Sequence, residues 1–145
     1  MNSVKTFSLN FDGSCWPNPG GKAGYGYVIH DGDVTYTDSG IIGTGPEFSN
    51  NYAEFFALHK ALEKIYEILA NESFPKTSIR VYGDSKLVIN IMNRKWKVQT
   101  DKLYYPAKLE ASLSQDSLFI KKVEIKYIWV PREKNTEADI LSKEK

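Results

Sequence analysis

The chain has 145 residues, a formal net charge of +1 and 41% hydrophobic residues, a composition typical of one globular domain with a substantial core. No apolar run is long enough to cross a membrane, and the first residues lack the apolar core of a signal peptide. A single cysteine, Cys15, excludes an internal disulfide and is typical of a reducing compartment. We therefore expect one domain over residues 1–145 that is cytoplasmic, monomeric and not bound to a membrane.

The first part of the sequence predicts an antiparallel meander of three strands. Apolar residues alternate along Val4–Phe11, and the extended segments Tyr25–His30 and Val34–Ile42 flank the sequence DGD. An Asp-Gly pair between two extended segments is typical of a β-hairpin.

The rest of the chain alternates helices with strands. Apolar residues at helical spacing predict a long helix that begins at Asn50 or Asn51 and ends near Leu69. The further predicted elements are, in order, a strand at Ser78–Gly83, helices at Ser85–Asn93 and Tyr105–Leu113, a strand at Val123–Val130 and a helix at Asn135–Lys143. This order predicts an α/β fold in which a mixed sheet has a central first strand and the fourth strand parallel beside it.

Four carboxylates occupy positions from which they could meet. Asp12 and Asp84 each follow a predicted strand, and parallel neighbouring strands would bring both to one edge of the sheet. Glu54 falls in the first turn of the long helix, and Asp139 falls near the start of the last helix. Divalent cations such as Mg²⁺ compensate the repulsion among clustered carboxylates. Alternatively each acid acts separately, as a turn former, a helix-start charge or a cap, and spacing alone leaves both interpretations open.

Two further segments have the composition of a ligand-binding surface. In the loop after Asp12, glycines would let the backbone approach a ligand and prolines would stiffen it. Between Arg94 and Lys108, five cations face one anion, and Trp96 and two tyrosines are interleaved among them. Such a segment can bind a phosphate backbone, or it can form an ordinary solvated surface.

Four short sequences, DGSCWPNPGGKAGYG, NNYAE, GDSKLVIN and VPREKNTEAD, together resemble type 1 ribonuclease H, in the order of that family and from about Phe7 to Leu141. The resemblance implies a ribonuclease H-like five-stranded mixed sheet, with three antiparallel strands followed by parallel ones, flanked by helices. It also implies endonucleolytic hydrolysis of the RNA strand of RNA–DNA hybrids, which leaves 5′-phosphate and 3′-hydroxyl ends. The implied cofactor is two Mg²⁺ ions, with Mn²⁺ as a possible substitute.

The resemblance assigns roles to individual residues. The family's catalytic, metal-binding acids are matched by Asp12, Glu54, Asp84 and Asp139. Asn18 and Asn51 match residues that contact the hybrid in its minor groove, and Ser49 and Asn50 lie where phosphate and sugar contacts occur.

Two features depart from the family's pattern. The loop before the last acid lacks the histidine that many members carry there, so we expect Arg132 to bind phosphate, with Glu133 as an alternative proton carrier. The basic insertion that some members have after the second helix looks absent. Lys95, Trp96 and Lys97 would then retain part of its role, with Trp96 either packing along a deoxyribose or covering the core.

Three interpretations of the whole chain follow. The first is a stand-alone metal-dependent hybrid ribonuclease, and the second is a nucleic-acid-binding module with degenerate catalysis. The third is a nuclease domain excised from a reverse transcriptase polyprotein. The presence of all four acids disfavours the second interpretation.

Overall fold

The computed structural model describes residues 4–143, so residues 1–3 and 144–145 of the predicted domain lie outside the described residues. The strands are β1 (Lys5–Trp16), β2 (Lys22–Asp31), β3 (Val34–Thr44), β4 (Thr77–Gly83) and β5 (Glu124–Trp129). The helices are α1 (Asn50–Ala70), α2 (Lys86–Met92), α3 (Tyr105–Ile120) and α4 (Thr136–Lys143), with a 3₁₀ turn at Arg132–Lys134. Within residues 4–143, no helix combines the length and the apolar character that crossing a membrane requires.

The strands form one five-stranded mixed sheet in the order β3-β2-β1-β4-β5. β1 pairs antiparallel with β2 and parallel with β4, and β4 pairs parallel with β5. The predicted α/β class, the central position of the first strand and the order of the elements are therefore confirmed.

β1 is longer than predicted. We expected this strand to end immediately before Asp12, but its antiparallel pairing with β2 continues to the pair of Trp16 and Lys22. The parallel pairing with β4 ends earlier, at the pair of Asn10 and Tyr82. Asp12 therefore lies inside the strand, just beyond the point where β1 and β4 separate. The small and polar residues after it suggested a loop, but backbone pairing with β2 keeps them extended.

α3 is also longer than predicted, because it ends at Ile120 rather than near Leu113. The residues after Leu113 include two serines and an aspartate, which favour helix less than alanine or leucine. Tertiary contacts outweigh this preference, since Leu118 is fully buried and the buried Gln115 Oε1 accepts a hydrogen bond of 2.7 Å from the Tyr127 hydroxyl.

Two glycines in the sheet let helices approach it closely. A Cβ at Gly13 would overlap the backbone of Ala53 and Glu54 in α1. A Cβ at Gly26, the β2 partner of Asp12, would lie 2.5 Å from the Cβ of Leu141 in α4. Glycine at these two positions therefore lets α1 pack closely on β1 and α4 pack closely on β2, next to Asp12.

Candidate metal centre

Three of the four predicted acids lie together. Asp12, Glu54 and Asp84 each offer a carboxylate oxygen, and these oxygens lie within 4.8 Å of one another. Asp12 and Glu54 are buried and Asp84 is half-buried, and all three line a cavity of about 760 Å³. Because α1 begins at Asn50, Glu54 lies in the second turn of the helix rather than in the first turn that we expected. β1, α1 and β4 thus each contribute one carboxylate to the cluster.

Asp84 does not cap α2, which was the alternative role that its position allowed. Ser85 is the cap, since its Oγ accepts a hydrogen bond of 3.2 Å from the Val88 amide. The Trp129 indole Nε1 donates a hydrogen bond of 3.1 Å to the Asp84 carbonyl and holds this part of the backbone against β5.

Asp139 lines the same cavity but stands outside the three-carboxylate cluster. Its Oδ1 lies 3.3 Å from Nη2 of Arg132 and 3.2 Å from Nζ of Lys143. Partial burial acts to raise the pKa of Asp139, but a hydrogen bond with Asp12 and the two cations outweigh it and lower this pKa. Asp139 is therefore the acid of this group that ionises most readily.

The three clustered acids have raised pKa values. Burial raises the pKa of Asp12 to about 7, and the charges of Asp84 and Asp139 add to the effect. Burial is also the largest cause that raises the pKa of Glu54, well above its usual range, and that of Asp84. Ionising all three carboxylates in the folded chain therefore requires a compensating positive charge.

The residues present fit a hard divalent cation. Oε2 of Glu54 is buried and has no hydrogen-bond partner among the described residues, and carboxylate oxygens are the ligands that Mg²⁺ prefers. Asp12, Glu54 and Asp84 could hold such an ion directly, and Asp139 could do so from the edge of the cavity.

A pair of asparagines that the sequence analysis missed ties the start of α4 to β1. The Asn135 side-chain Nδ2 donates a hydrogen bond of 2.9 Å to the Phe11 carbonyl, and its Oδ1 accepts one of 3.0 Å from Asn10. The sequence pattern identifies Asn135 only as the first residue of the predicted last helix. The available sequence signal was Asn10, a polar residue in the central strand of a sheet covered on both faces. These contacts position the turn of α4 that carries Asp139.

A second cavity, of about 720 Å³, contains most of the predicted substrate-binding residues. Those that line it are Asn18, Ser49, Asn51, Lys95, Trp96 and Lys97. The other two, Asn50 and Arg132, line the first cavity, and Asn51 lines both, so the cavities adjoin there. Trp96 is 48% exposed, which agrees with a ligand-facing side chain better than with a cover for the core.

Hydrogen bonds fix the loop after β1 against the start of α1. Asn18 Oδ1 accepts a bond of 2.9 Å from the Asn50 amide, and Asn50 Oδ1 accepts one of 2.8 Å from the Cys15 amide. Ser49 caps α1, since its Oγ accepts a bond of 3.1 Å from the Tyr52 amide. Three of the predicted substrate contacts, Asn18, Ser49 and Asn50, therefore also have structural roles.

Comparison with known proteins places these features in a family. The model of the RNase H family matches residues 4–145. The Bifunctional protein Rv2228c of Mycobacterium tuberculosis is 34% identical over 137 residues, which cover 92% of this chain and 34% of that protein. A Ribonuclease H of Chlorobaculum parvum is 34% identical over 92 residues, which cover 63% of this chain and 55% of the relative.

One solved structure is similar to this chain over nearly the whole length of both proteins. The crystal structure of LC11-RNase H1 in complex with RNA/DNA hybrid matches with a TM-score of 0.79 at 27% identity, and the match covers 93% of this chain and 92% of that one. By contrast, this chain spans 34% of the length of the mycobacterial relative and 55% of the Chlorobaculum one.

Proposed function

The chain belongs to the RNase H family, and on that premise we propose that it hydrolyses the RNA strand of RNA–DNA hybrids endonucleolytically, leaving 5′-phosphate and 3′-hydroxyl ends. The observation that carries the proposal is the convergence of carboxylate oxygens of Asp12, Glu54 and Asp84 within 4.8 Å of one another in the lining of a cavity of about 760 Å³. The similarity to LC11-RNase H1, whose structure contains an RNA/DNA hybrid, supports the choice of substrate. A single domain over 1–145, a monomeric state and a cytoplasmic location are parts of the same proposal.

The proposed cofactor is two Mg²⁺ ions, with Mn²⁺ as a substitute, held by the three clustered acids and by Asp139. The bound ions would supply the Lewis acidity that activates a water molecule and stabilises the leaving oxygen of a phosphodiester. The chain's own residues orient the ligand oxygens. The asparagine pair Asn10 and Asn135 places α4 against β1, while Arg132 and Lys143 hold the Asp139 carboxylate at the edge of the cavity.

The two adjoining cavities suit the two strands of a hybrid. We propose that the RNA strand crosses the acidic cavity and that the DNA strand lies in the other, beside Lys95, Trp96 and Lys97. Asn18 and Asn51 would then face the minor groove, where the 2′-hydroxyls of RNA are displayed. Lysines suit the phosphates, and an exposed indole suits a sugar.

The decisive experiment removes one charge at a time from the acidic cluster. Asp12→Asn and Asp84→Asn each keep the side-chain size, and each should lower hybrid cleavage by about a hundred-fold or more, beyond what losing a hydrogen-bond partner of a metal ligand costs. Asp33→Asn, at the exposed β2–β3 turn, is the matched control and should cleave as the wild type does.

The assay compares labelled RNA–DNA hybrid, duplex RNA and duplex DNA, each with Mg²⁺ and with a chelator. We expect cleavage of the hybrid alone, and only with the metal. Wild-type turnover by either cluster variant, with circular dichroism showing an intact fold, would contradict the metal site. Binding of the hybrid without any cleavage by the wild type would favour the degenerate binding module instead.

A further inference from the structure

Trp16 is 83% exposed, and it lines the same cavity as the clustered acids. A single exposed apolar residue needs no explanation by itself, but tryptophan is on average among the well-buried residue types. The exposure of this indole in the lining of the candidate active site suggests that a ligand covers it.

Trp16 lies on the same face of β1 as Asp12, because successive side chains of a strand alternate between faces. Ser14 lies between them on that face, and its hydroxyl donates a hydrogen bond of 2.8 Å to the Ser142 carbonyl of α4. At about 3.3 Å per residue, Trp16 is about 13 Å along the strand from Asp12, a distance of a few nucleotides. Asp12, Ser14 and Trp16 line one cavity, so a strand of nucleic acid that crosses Asp12 within this cavity can reach Trp16.

The neighbours of Trp16 suit a sugar–phosphate backbone. Lys22 is its partner on β2, and both residues line the cavity. Ile41 of β3 lines it too and is 51% exposed. These three side chains, which we call the Trp16 surface, combine apolar area for sugars with a cation for phosphate.

We propose, on the basis of the proposed function, that the Trp16 surface binds the RNA strand a few nucleotides from the scissile bond. The indole packs against ribose, and Lys22 neutralises a phosphate. The RNA strand is the one expected here because Trp16 shares its face of β1 with Asp12, whereas the second cavity holds the residues proposed for the DNA strand. Contact with sugar and phosphate tolerates any base sequence.

The first test compares substitutions at this surface. Trp16→Ala should raise the KM for hybrid about five-fold or more with little change in kcat, because it removes apolar contact area, while Trp16→Phe should retain most of the affinity. Ile120→Ala is the matched control, since Ile120 is 78% exposed at the end of α3, and it should leave the KM unchanged. Lys22→Gln should reduce the slope of log affinity against log salt concentration by about one.

The second test asks which strand is bound. Two further hybrids are prepared, each with a full-length DNA strand and a shortened RNA strand. In the first hybrid the RNA is shortened on the 5′ side of the cleaved bond, and in the second on the 3′ side, so that it stops just short of the expected contact with Trp16. On one of them, the wild type and Trp16→Ala should have equal KM. The same two proteins are compared on every hybrid, and a folding defect in Trp16→Ala would raise its KM on all of them rather than on all but one.

Three outcomes are separable. Equal KM for Trp16→Ala and the wild type on the full hybrid would overturn the inference while the proposed function stands. A difference that persists on both shortened hybrids would overturn the assignment to the RNA strand. A wild type that does not cleave hybrid would contradict the proposed function itself.

Discussion

Arg132 stands in the loop where many members of the family carry a histidine, and its guanidinium lies 3.3 Å from the carboxylate of Asp139. The charge of Asp139 is the largest cause that raises the pKa of Arg132 above its already high value. Arg132 therefore stays charged at every working pH and cannot exchange a proton in the reaction. Because 66% of its side chain is exposed, it can contact a phosphate while it remains near Asp139.

We predict that Arg132 serves substrate binding. Arg132→Ala should raise the KM for hybrid about five-fold at low salt, and the effect should shrink as salt screens phosphate contacts. Lys134→Ala, an exposed cation in the same 3₁₀ turn, is the control and should have a smaller effect. A large fall in kcat with an unchanged KM would instead indicate that Arg132 acts in the chemical step or in product release.

At the scale of elements, residues between the end of β1 and the first turn of α1 both stabilise the loop and are proposed to contact the hybrid. Asn18 Oδ1 accepts a hydrogen bond from the first residue of α1, so this side chain holds the loop to the helix. Asn51 is exposed in the first turn of α1 and lines both cavities. The two asparagines, which the resemblance treats alike, thus differ in what their removal would do to the fold.

Asn18→Ala and Asn51→Ala should both weaken hybrid cleavage several-fold, because each contact to a ribose hydroxyl is worth on the order of 1 kcal/mol. Asn18→Ala should also lower the free energy of unfolding by about 1 kcal/mol, whereas Asn51→Ala should change it by less than about 0.5 kcal/mol. Urea unfolding measures the stability, and kcat/KM on strands with single 2′-deoxy substitutions measures the recognition. An asparagine variant that loses as much activity on every deoxy-substituted strand as on the all-ribose strand is not contacting the tested hydroxyls.

Local pattern was enough to predict the type and order of the α-helices and strands, but not the start of β2, the ends of β1 and α3, or the 3₁₀ turn. The end of β1 depends on its register with β2, and α3 continues because distant residues such as Tyr127 bond to it. Neither contact is visible in a local window of sequence. The acids themselves were identified from motifs at the starts of helices and the ends of strands, where the chain places them near one another.

The finer geometry of the site was not predictable for the same reason. Asp139 interacts with Asp12 but lies outside the three-carboxylate cluster, and it pairs with Arg132 and Lys143 where the 3₁₀ turn leads into α4. The position of the 3₁₀ turn also depends on the hydrogen bond between Asn10 and Asn135, which lie 125 residues apart in the chain.

Across the whole molecule, the raised pKa values of the clustered acids link stability to pH. Asp12 titrates at about 7 in the folded chain, against an ordinary value of 3.8, so the folded state binds more protons than the unfolded state between these values. A raised carboxyl pKa contributes stability that is fully present below the unfolded pKa and is lost as pH rises through the folded one. Glu54 and Asp84 act with the same sign. Asp139, whose pKa is lowered, contributes in the opposite sense only near and below its ordinary value of 3.8.

In a chelator, the free energy of unfolding should therefore fall from pH 5 to pH 7 by on the order of 1 kcal/mol per pH unit. Mg²⁺ should restore stability at pH 7.5, because it binds the ionised carboxylates of the folded chain alone. Asp12→Asn removes the titrating charge, so in the chelator its free energy of unfolding at pH 7.5 should exceed that of the wild type and depend less on pH, although we expect the variant to cleave little hybrid. Urea unfolding from pH 5 to 8, with Mg²⁺ and with chelator, measures all three effects, and Asp33→Asn should follow the wild type throughout. Two results would contradict this prediction: a free energy of unfolding of the wild type in chelator that rises between pH 5 and 7, or a free energy of unfolding of Asp12→Asn that depends on pH as fully as that of the wild type. Either result would mean that the buried carboxylates do not destabilise the metal-free fold.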